Sequence, residues 1–194
     1  LYNGGIGTYV KARSESHAEG GDRANDAVRI NGGDLRCKVV AEGGNLGCTQ
    51  LGRIEAALAG VRINTDAIDN SAGVDTSDHE VNIKILLDML VKKGLVKGRE
   101  ERNRILAEMT DDVAALVLAD NAGQALCLSL DVRRSARRYE EFVALVDDMA
   151  GAGLLSRADE SVPTREELLA SPHRDRGLPR PLLCVLLGYS KMSA

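Results

Sequence analysis

Arg36-Cys37-Lys38-Val39-Val40-Ala41, then Glu42-Gly43-Gly44-Asn45-Leu46-Gly47-Cys48, then Thr49–Ala59 (TQLGRIEAALA) and Val61-Arg62-Ile63, form the run that decides the fold. RCKVVA is a short apolar segment with adjacent β-branched residues, bounded by turn formers, and it reads as a buried strand. Thr49–Ala59 places Leu51, Ile54, Ala57 and Leu58 on one helical face. Val61–Ile63 is a second short strand. Strand, helix and strand within about 30 residues make a βαβ unit, whose strands run parallel.

Upstream of that unit, Leu1-Tyr2 reads as the tail of a further strand, followed by Asn3-Gly4-Gly5-Ile6-Gly7. Ser14–Val28 is polar with interspersed alanines and predicts a surface helix. Asn31-Gly32-Gly33-Asp34 predicts a turn. Downstream the periodicity turns helical. Ser77 with Glu80 has the spacing of a capping box, so a helix is expected to start there. Val81–Val91 is apolar on most sides, which suits a helix buried between layers, and Lys92-Lys93-Gly94 ends it. Arg99–Asp120 and Ala125–Met149 continue the helical pattern, with a break expected at Gly123. Thr164 with Glu167 is a second capping box, and Pro181–Lys191 is a last apolar helix with proline in its first turn. The expected class is α/β: the second half of a Rossmann-like parallel sheet over residues 1–77, then a mainly α-helical C-terminal region over 78–194.

Bulk properties narrow the function. The chain has 194 residues, 44% of them hydrophobic, enough for a core. It carries 25 basic against 29 acidic residues, a net charge of −4, and no basic face that would draw nucleic acid or an anionic membrane. Arg133, Arg134, Arg137 and Arg138 read as a solvated face answering Glu140 and Glu141. No apolar run approaches the roughly 20 residues of a membrane span, and no signal peptide leads the chain. Cys37, Cys48, Cys127 and Cys184 form no C-x-x-C pair and have no histidine at ligand spacing, so reduced thiols, no metal and a cytoplasmic location are expected. The chain starts without Met, in mid-element, and reads as a piece of a longer polypeptide.

Two loops carry candidate chemistry. In an open parallel sheet, ligands bind outside the carboxyl ends of the strands. Glu42–Gly47 lies at such an end. Gly43 and Gly44 let backbone approach a flat ring, and Asn45 offers the acceptor and two donors that match a carboxamide. The same residues also make an ordinary strand-to-helix turn with Asn45 in a left-handed conformation. Asp69–Ser77 follows the next strand. An anion fits the helix N-terminus expected there, with the Ser77 hydroxyl beside it; Ser77 as a plain cap is the other reading. Both loops, at strand carboxyl ends, should open on one cleft. No G-x-G-x-x-G opens a βαβ unit, so the pyrophosphate half of a dinucleotide site is not expected in this chain. No Ser/His/Asp or Cys/His arrangement can be assembled from the spacing.

Asn3–Lys11 (NGGIGTYVK), Glu42–Glu55 (EGGNLGCTQLGRIE) and Arg62–Ile85 (RINTDAIDNSAGVDTSDHEVNIKI) closely resemble the large bacterial NAD-specific glutamate dehydrogenases. The stretch from Arg180 to Lys191 resembles the same family's C-terminal helical region. Tyr2 stands where the family has tryptophan. The family is similar in its core to the smaller hexameric glutamate dehydrogenases, whose E-G-A-N loop contacts the cofactor through its asparagine. Asn45 matches that asparagine, with Gly44 in place of alanine. Asn70 matches the asparagine near the nicotinamide ribose, and Ser77 the serine that binds the substrate's side-chain carboxylate. Ser71-Ala72 departs from the smaller enzymes' Ala-Gly. The resemblance therefore implies NAD as cofactor, bound by Gly43, Gly44, Asn45 and Asn70, and L-glutamate as substrate, bound by Ser77. It implies oxidative deamination, with hydride passing from the glutamate Cα to NAD and water hydrolysing the resulting imine to 2-oxoglutarate and ammonia. It places the catalytic lysine and aspartate upstream of Leu1, so no catalytic residue and no metal ligand is expected here. A homo-oligomer is expected for the full-length protein. Two alternatives remain open: a dehydrogenase for another amino acid, and a non-catalytic nucleotide-binding or interaction module.

Overall fold

In the computed structural model, which describes residues 1–193, four short strands form two parallel pairs. They are β1 (Tyr2–Asn3), β2 (Val10–Lys11), β3 (Ile30–Asn31) and β4 (Ala41–Glu42). β1 lies beside β4, with Tyr2 opposite Ala41, and β2 beside β3, with Val10 opposite Ile30. The segment leading into β4 extends the first ladder on its other side. The Val40 N–H donates to the Arg62 carbonyl, and the Arg62 N–H to the Lys38 carbonyl, both at 2.9 Å. The two strands of the βαβ reading are thus neighbours and parallel, but each pairs over only a few residues.

Helix α1 (Gln50–Leu58) connects them. Thr49 caps it by accepting the Gly52 N–H at 3.0 Å. α1 buries Gly52, Arg53 and Ala56, one residue round from the predicted face, whose Leu51, Ile54, Ala57 and Leu58 are half-buried. Gly32 lies so close to this helix that a Cβ there would stand 2.2 Å from the Gly52 carbonyl oxygen. Val10, Val40, Cys48, Ala56, Val61 and Ile63 form the core between the strands and α1.

The remaining helices are α2 (Asp66–Asp69), α3 (Ser71–Lys92), α4 (Gly98–Glu108), α5 (Thr110–Arg137), α6 (Tyr139–Gly151), α7 (Arg165–Leu169) and α8 (Arg180–Ser193). The chain makes two contact units: Leu1–Asp69 together with the chain from Ala125 onward, and Asn70–Gln124. The C-terminal helices therefore belong with the strands. Pro181, Leu182, Leu183, Cys184, Val185 and Leu186 are all buried in α8, and each fully buried leucine contributes roughly 1.5–3 kcal/mol. They share a second core with Val143 and Val146 of α6, Leu168 of α7 and Leu128 of α5. Gln50 of α1 donates to the Pro181 carbonyl at 3.2 Å, which ties α8 to the βαβ unit. The Thr164–Glu167 capping box forms as expected at the start of α7.

Several expectations give way. Ser14–Val28 is not a surface helix; it holds turns and one short 3-10 segment, Arg23–Asn25. Its backbone is organised instead by Arg29, which is buried and donates to the carbonyls of Thr8, His17 and Asp22. The break expected at Gly123 is absent, because α5 runs through it, and the breaks fall at Met109 and Arg138. One glycine costs a helix about 1 kcal/mol, too little to interrupt 28 residues. Val81–Val91 is not enclosed: Leu87 is buried, while Val81, Ile85, Leu86 and Met89 are about half exposed. α5 is long and apolar enough, by length and composition, to cross a membrane, with a mean hydropathy of 1.5 over 18 residues. Asp120, Asn121 and Gln124 interrupt the run, which stays apolar on average. Only 11% of that window is buried, and a single such helix is weak evidence for a membrane.

Candidate functional site

Asn3–Gly7 and Glu42–Gly47 are built as one layer of interlocked backbone. The Asn3 carbonyl accepts from the Gly43 N–H at 2.7 Å and from the Gly44 N–H at 3.1 Å. A Cβ on Gly44 would lie 2.4 Å from the Gly5 carbonyl oxygen, and one on Gly47 would lie 1.8 Å from Asn3 Nδ2. Close loop-to-loop approach alone therefore requires Gly44 and Gly47. Gly43 is exposed and faces the phenol of Tyr2, itself 72% exposed and free to move. Asn3 Nδ2 is buried without a hydrogen-bond partner among the described residues. The left-handed residue of the loop is Leu46, at φ 60°, and not Asn45. Two bonds hold that strained residue: its N–H donates to Asp66 at 2.7 Å, and its carbonyl accepts from the Thr8 hydroxyl at 2.8 Å. Leu46 takes up the turn, and Asn45 is left exposed at the carboxyl end of β4.

Beneath the loop is an ionic network that sequence reading did not single out. Glu42 is fully buried, and Arg53 is 5% exposed. Arg53 Nε and Nη2 donate to the two Glu42 carboxylate oxygens at 2.7 and 3.0 Å, and Nη2 also lies 3.2 Å from Asp66. Burial pushes the Glu42 carboxyl above its ordinary range, although Arg53 works against the shift. Burial also opposes the Arg53 charge, but Glu42 and Asp66 outweigh it and hold the guanidinium protonated. The available signal was an arginine one turn into a helix that begins just after a glutamate-bearing strand end. Asp66 and Asp69 complete the support: Asp69 accepts from the Glu42 N–H at 2.9 Å and from Asn64 at 2.6 Å.

The Cys48 thiol is pushed up to about 12, by burial first and by Glu42 second. It is a packed core thiol without nucleophilic character. All four cysteines are unpaired by disulfides.

The second candidate loop differs from expectation. Asn70 holds the N-cap position and α3 starts at Ser71, so Ser77 lies inside a helix and caps nothing. No proline or other strong breaker stands between Asn70 and Ser77, and Gly73 alone does not delay the helix. The helix-end N–H groups belong to the turn after Asn70. Ser77 is exposed, and its hydroxyl donates to the Val74 carbonyl at 2.8 Å. Gly43, Gly44 and Asn45 thus belong to one contact unit, and Asn70 and Ser77 to the other. Within the second unit, His79 Nε2 lies 3.4 Å from Asp75, and Asp120 brings a third potential ligand atom within 4.8 Å of both. Asp75 and His79 are half-buried and Asp120 is exposed.

Comparison with known proteins places this geometry in context. The pattern described as bacterial NAD-glutamate dehydrogenase, catalytic domain, matches residues 1–131. The chain is 52% identical over 192 residues to an NAD-specific glutamate dehydrogenase of Pseudomonas aeruginosa, covering 99% of the chain. It is 50% identical over 191 residues to that of Halomonas elongata and 49% identical over 192 to that of Mycobacterium tuberculosis. It spans about 12% of the length of these relatives.

Proposed function

Because the chain belongs to the bacterial NAD-glutamate dehydrogenase family, we propose that it forms part of the catalytic region of an enzyme that oxidatively deaminates L-glutamate. One observation carries the reading: the catalytic-domain match runs from residue 1 to residue 131 and takes in both candidate loops. Residues 1–77 are then the second half of a Rossmann-like NAD-binding domain, and 78–194 its helical continuation. The enzyme acts in the cytoplasm as a homo-oligomer.

NAD, when bound, accepts the hydride. The loop at the end of β4 suits its nicotinamide side, because Leu46 absorbs the strain of the turn and leaves the Asn45 carboxamide exposed. Gly43 adds exposed backbone beside the Tyr2 phenol, Gly44 holds the loop against Gly5, and Asn70 contributes from the start of α3. Ser77 holds the side-chain carboxylate of glutamate. Its hydroxyl hydrogen, directed at Val74 in the free protein, must rotate to donate to the substrate. The share of these residues is orientation, and the acid–base chemistry comes from groups outside the chain.

The test is steady-state kinetics of the full-length protein carrying Asn45→Ala or Ser77→Ala. A hydrogen bond to a charged group contributes about 1.5–3 kcal/mol. Ser77→Ala should therefore raise the KM for glutamate about tenfold or more and leave that for NAD unchanged. Asn45→Ala should do the reverse. If neither constant moves, both residues are structural and the site lies elsewhere.

A further inference from the structure

Outside the candidate loops, arginines gather around one cavity of about 730 Å³ in the unit that contains the strands. Arg62 comes from the strand after α1, Arg133 from the carboxyl-terminal end of α5, Arg176 from the short turn before α8, and Arg180 from α8 itself. Asp69 is the one carboxylate among the lining residues, which leaves a formal excess of three positive charges. Among the described residues, the side chains of Arg62, Arg133 and Arg176 make no hydrogen bond or ion pair. Elsewhere some arginines, such as Arg13, Arg53, Arg138 and Arg157, pair with carboxylates, while Arg23, Arg36, Arg99 and Arg137 extend into solvent; what sets Arg62, Arg133 and Arg176 apart is that they line one cavity. Acidic residues outnumber basic ones in this chain, so a cavity with unanswered guanidiniums is not a reflection of composition.

The cavity has a fixed floor. Arg180 donates to Asn64, to the Ser129 hydroxyl at 3.1 Å and to the Ala125 carbonyl at 3.1 Å. All three acceptors are neutral, so the guanidinium is immobilised and its charge is not cancelled. The turn that carries Arg176 is pinned as well. Gly177, at φ 81°, packs so tightly on α5 that a Cβ would lie 2.5 Å from Ser135 Oγ, and the Leu178 N–H donates to that hydroxyl at 3.1 Å. One wall is apolar: Val39, 48% exposed beside β4, with Leu58, Val61 and Pro179.

We propose that this cavity binds a polyphosphate group, carried either alone or on a nucleoside whose ring lies against the apolar wall. Guanidiniums with unused donors match phosphate oxygens in geometry and charge. The volume lies within the roughly 300–1,000 Å³ typical of small-molecule sites. The site is lined by none of Gly43, Gly44, Asn45, Asn70 and Ser77, and the inference stands independently of their proposed roles.

The experiment is calorimetric titration of the full-length protein with tripolyphosphate and with ATP, without NAD and at several saturating NAD concentrations. The wild type should bind tripolyphosphate, and R133Q/R176Q should bind it at least tenfold more weakly. Both side chains are exposed and bond nothing, so the variant should retain its circular dichroism spectrum. R62Q provides the same reading if it does not. ATP binding tighter than tripolyphosphate assigns a nucleoside polyphosphate, and equal affinities assign the phosphate chain alone. No binding to the wild type, equal binding to the variants, or competitive displacement by NAD would overturn the proposal.

Discussion

Arg53→Met strands a carboxylate in the core. Glu42 is fully buried and receives both Arg53 bonds, at 2.7 and 3.0 Å. Methionine approximates the aliphatic stem of arginine, so packing changes little and the charge is what is lost. Removing one partner of a buried pair costs about 3–5 kcal/mol, against a stability of about 5–15 kcal/mol for a whole domain. Asp66 loses a neighbour too, but it is less buried and adds less. Urea denaturation followed by circular dichroism measures the effect, comparing R53M, E42Q and E42Q/R53M. R53M should lose about 3 kcal/mol or more. The double variant should recover at least about 1 kcal/mol, because a glutamine leaves no charge unpaired.

Acidity tests the same network independently. Burial already raises the Glu42 carboxyl above its ordinary value of 4.5, and in R53M the principal opposing charge is gone. A carboxyl raised on folding holds more protons in the native than in the unfolded state. Its penalty is absent below the unfolded value, grows as pH rises through the folded one, and is complete above it. The R53M deficit should therefore shrink between about pH 7 and about pH 5. A cost below about 1 kcal/mol, or a deficit that widens on acidification, would refute the network as a buried charge pair.

Two other outcomes follow from the packing. Gly44→Ala should destabilise by about 1–3 kcal/mol, because its Cβ meets the Gly5 carbonyl at 2.4 Å. Gly43→Ala should cost less, because its Cβ meets only the mobile Tyr2 phenol; thermal denaturation that ranks the two in the opposite order refutes the interlocked-loop account. Iodoacetamide at about pH 8 should label Cys37 and Cys127 before Cys48 and Cys184, as read by peptide mass spectrometry. The last two are buried, with thiols pushed up to about 12 and about 11, and a thiol near 12 is ionised about once in ten thousand at that pH. Early labelling of Cys48 would show that the loop above it opens readily.

Local chemistry was legible wherever neighbours in sequence decide structure. α1, the Asn31–Asp34 turn, the Thr164–Glu167 box and the parallel pairing around Arg62 all depend on spacing that can be read along the chain. The proposed roles of Asn45, Asn70 and Ser77 rest on motif, which is equally local. The Ser77 capping box shows the limit of that reading. Its spacing was right, but Asn70 offered an earlier start, and a helix extends at little cost once nucleated.

What only the tertiary structure decided are the meetings of distant segments. Gly44, which looked like room for a ligand, proved to be required by Gly5, and Gly47 by Asn3, some 40 residues away. Glu42 and Arg53 were not singled out in the sequence, and burial made them the charged centre of the unit. Arg133 read as part of a solvated cluster facing nearby glutamates. Arg134 and Arg138 do pair with close neighbours in sequence, but folding turns Arg133 toward Arg62, Arg176 and Arg180, from three other segments. The physical reason is range. Propensity, capping and turn geometry act within a few residues, and the sequence by itself determined those. Burial, desolvation and the convergence of like charges depend on which segments share a volume, and that is settled when α8 returns to pack against α1.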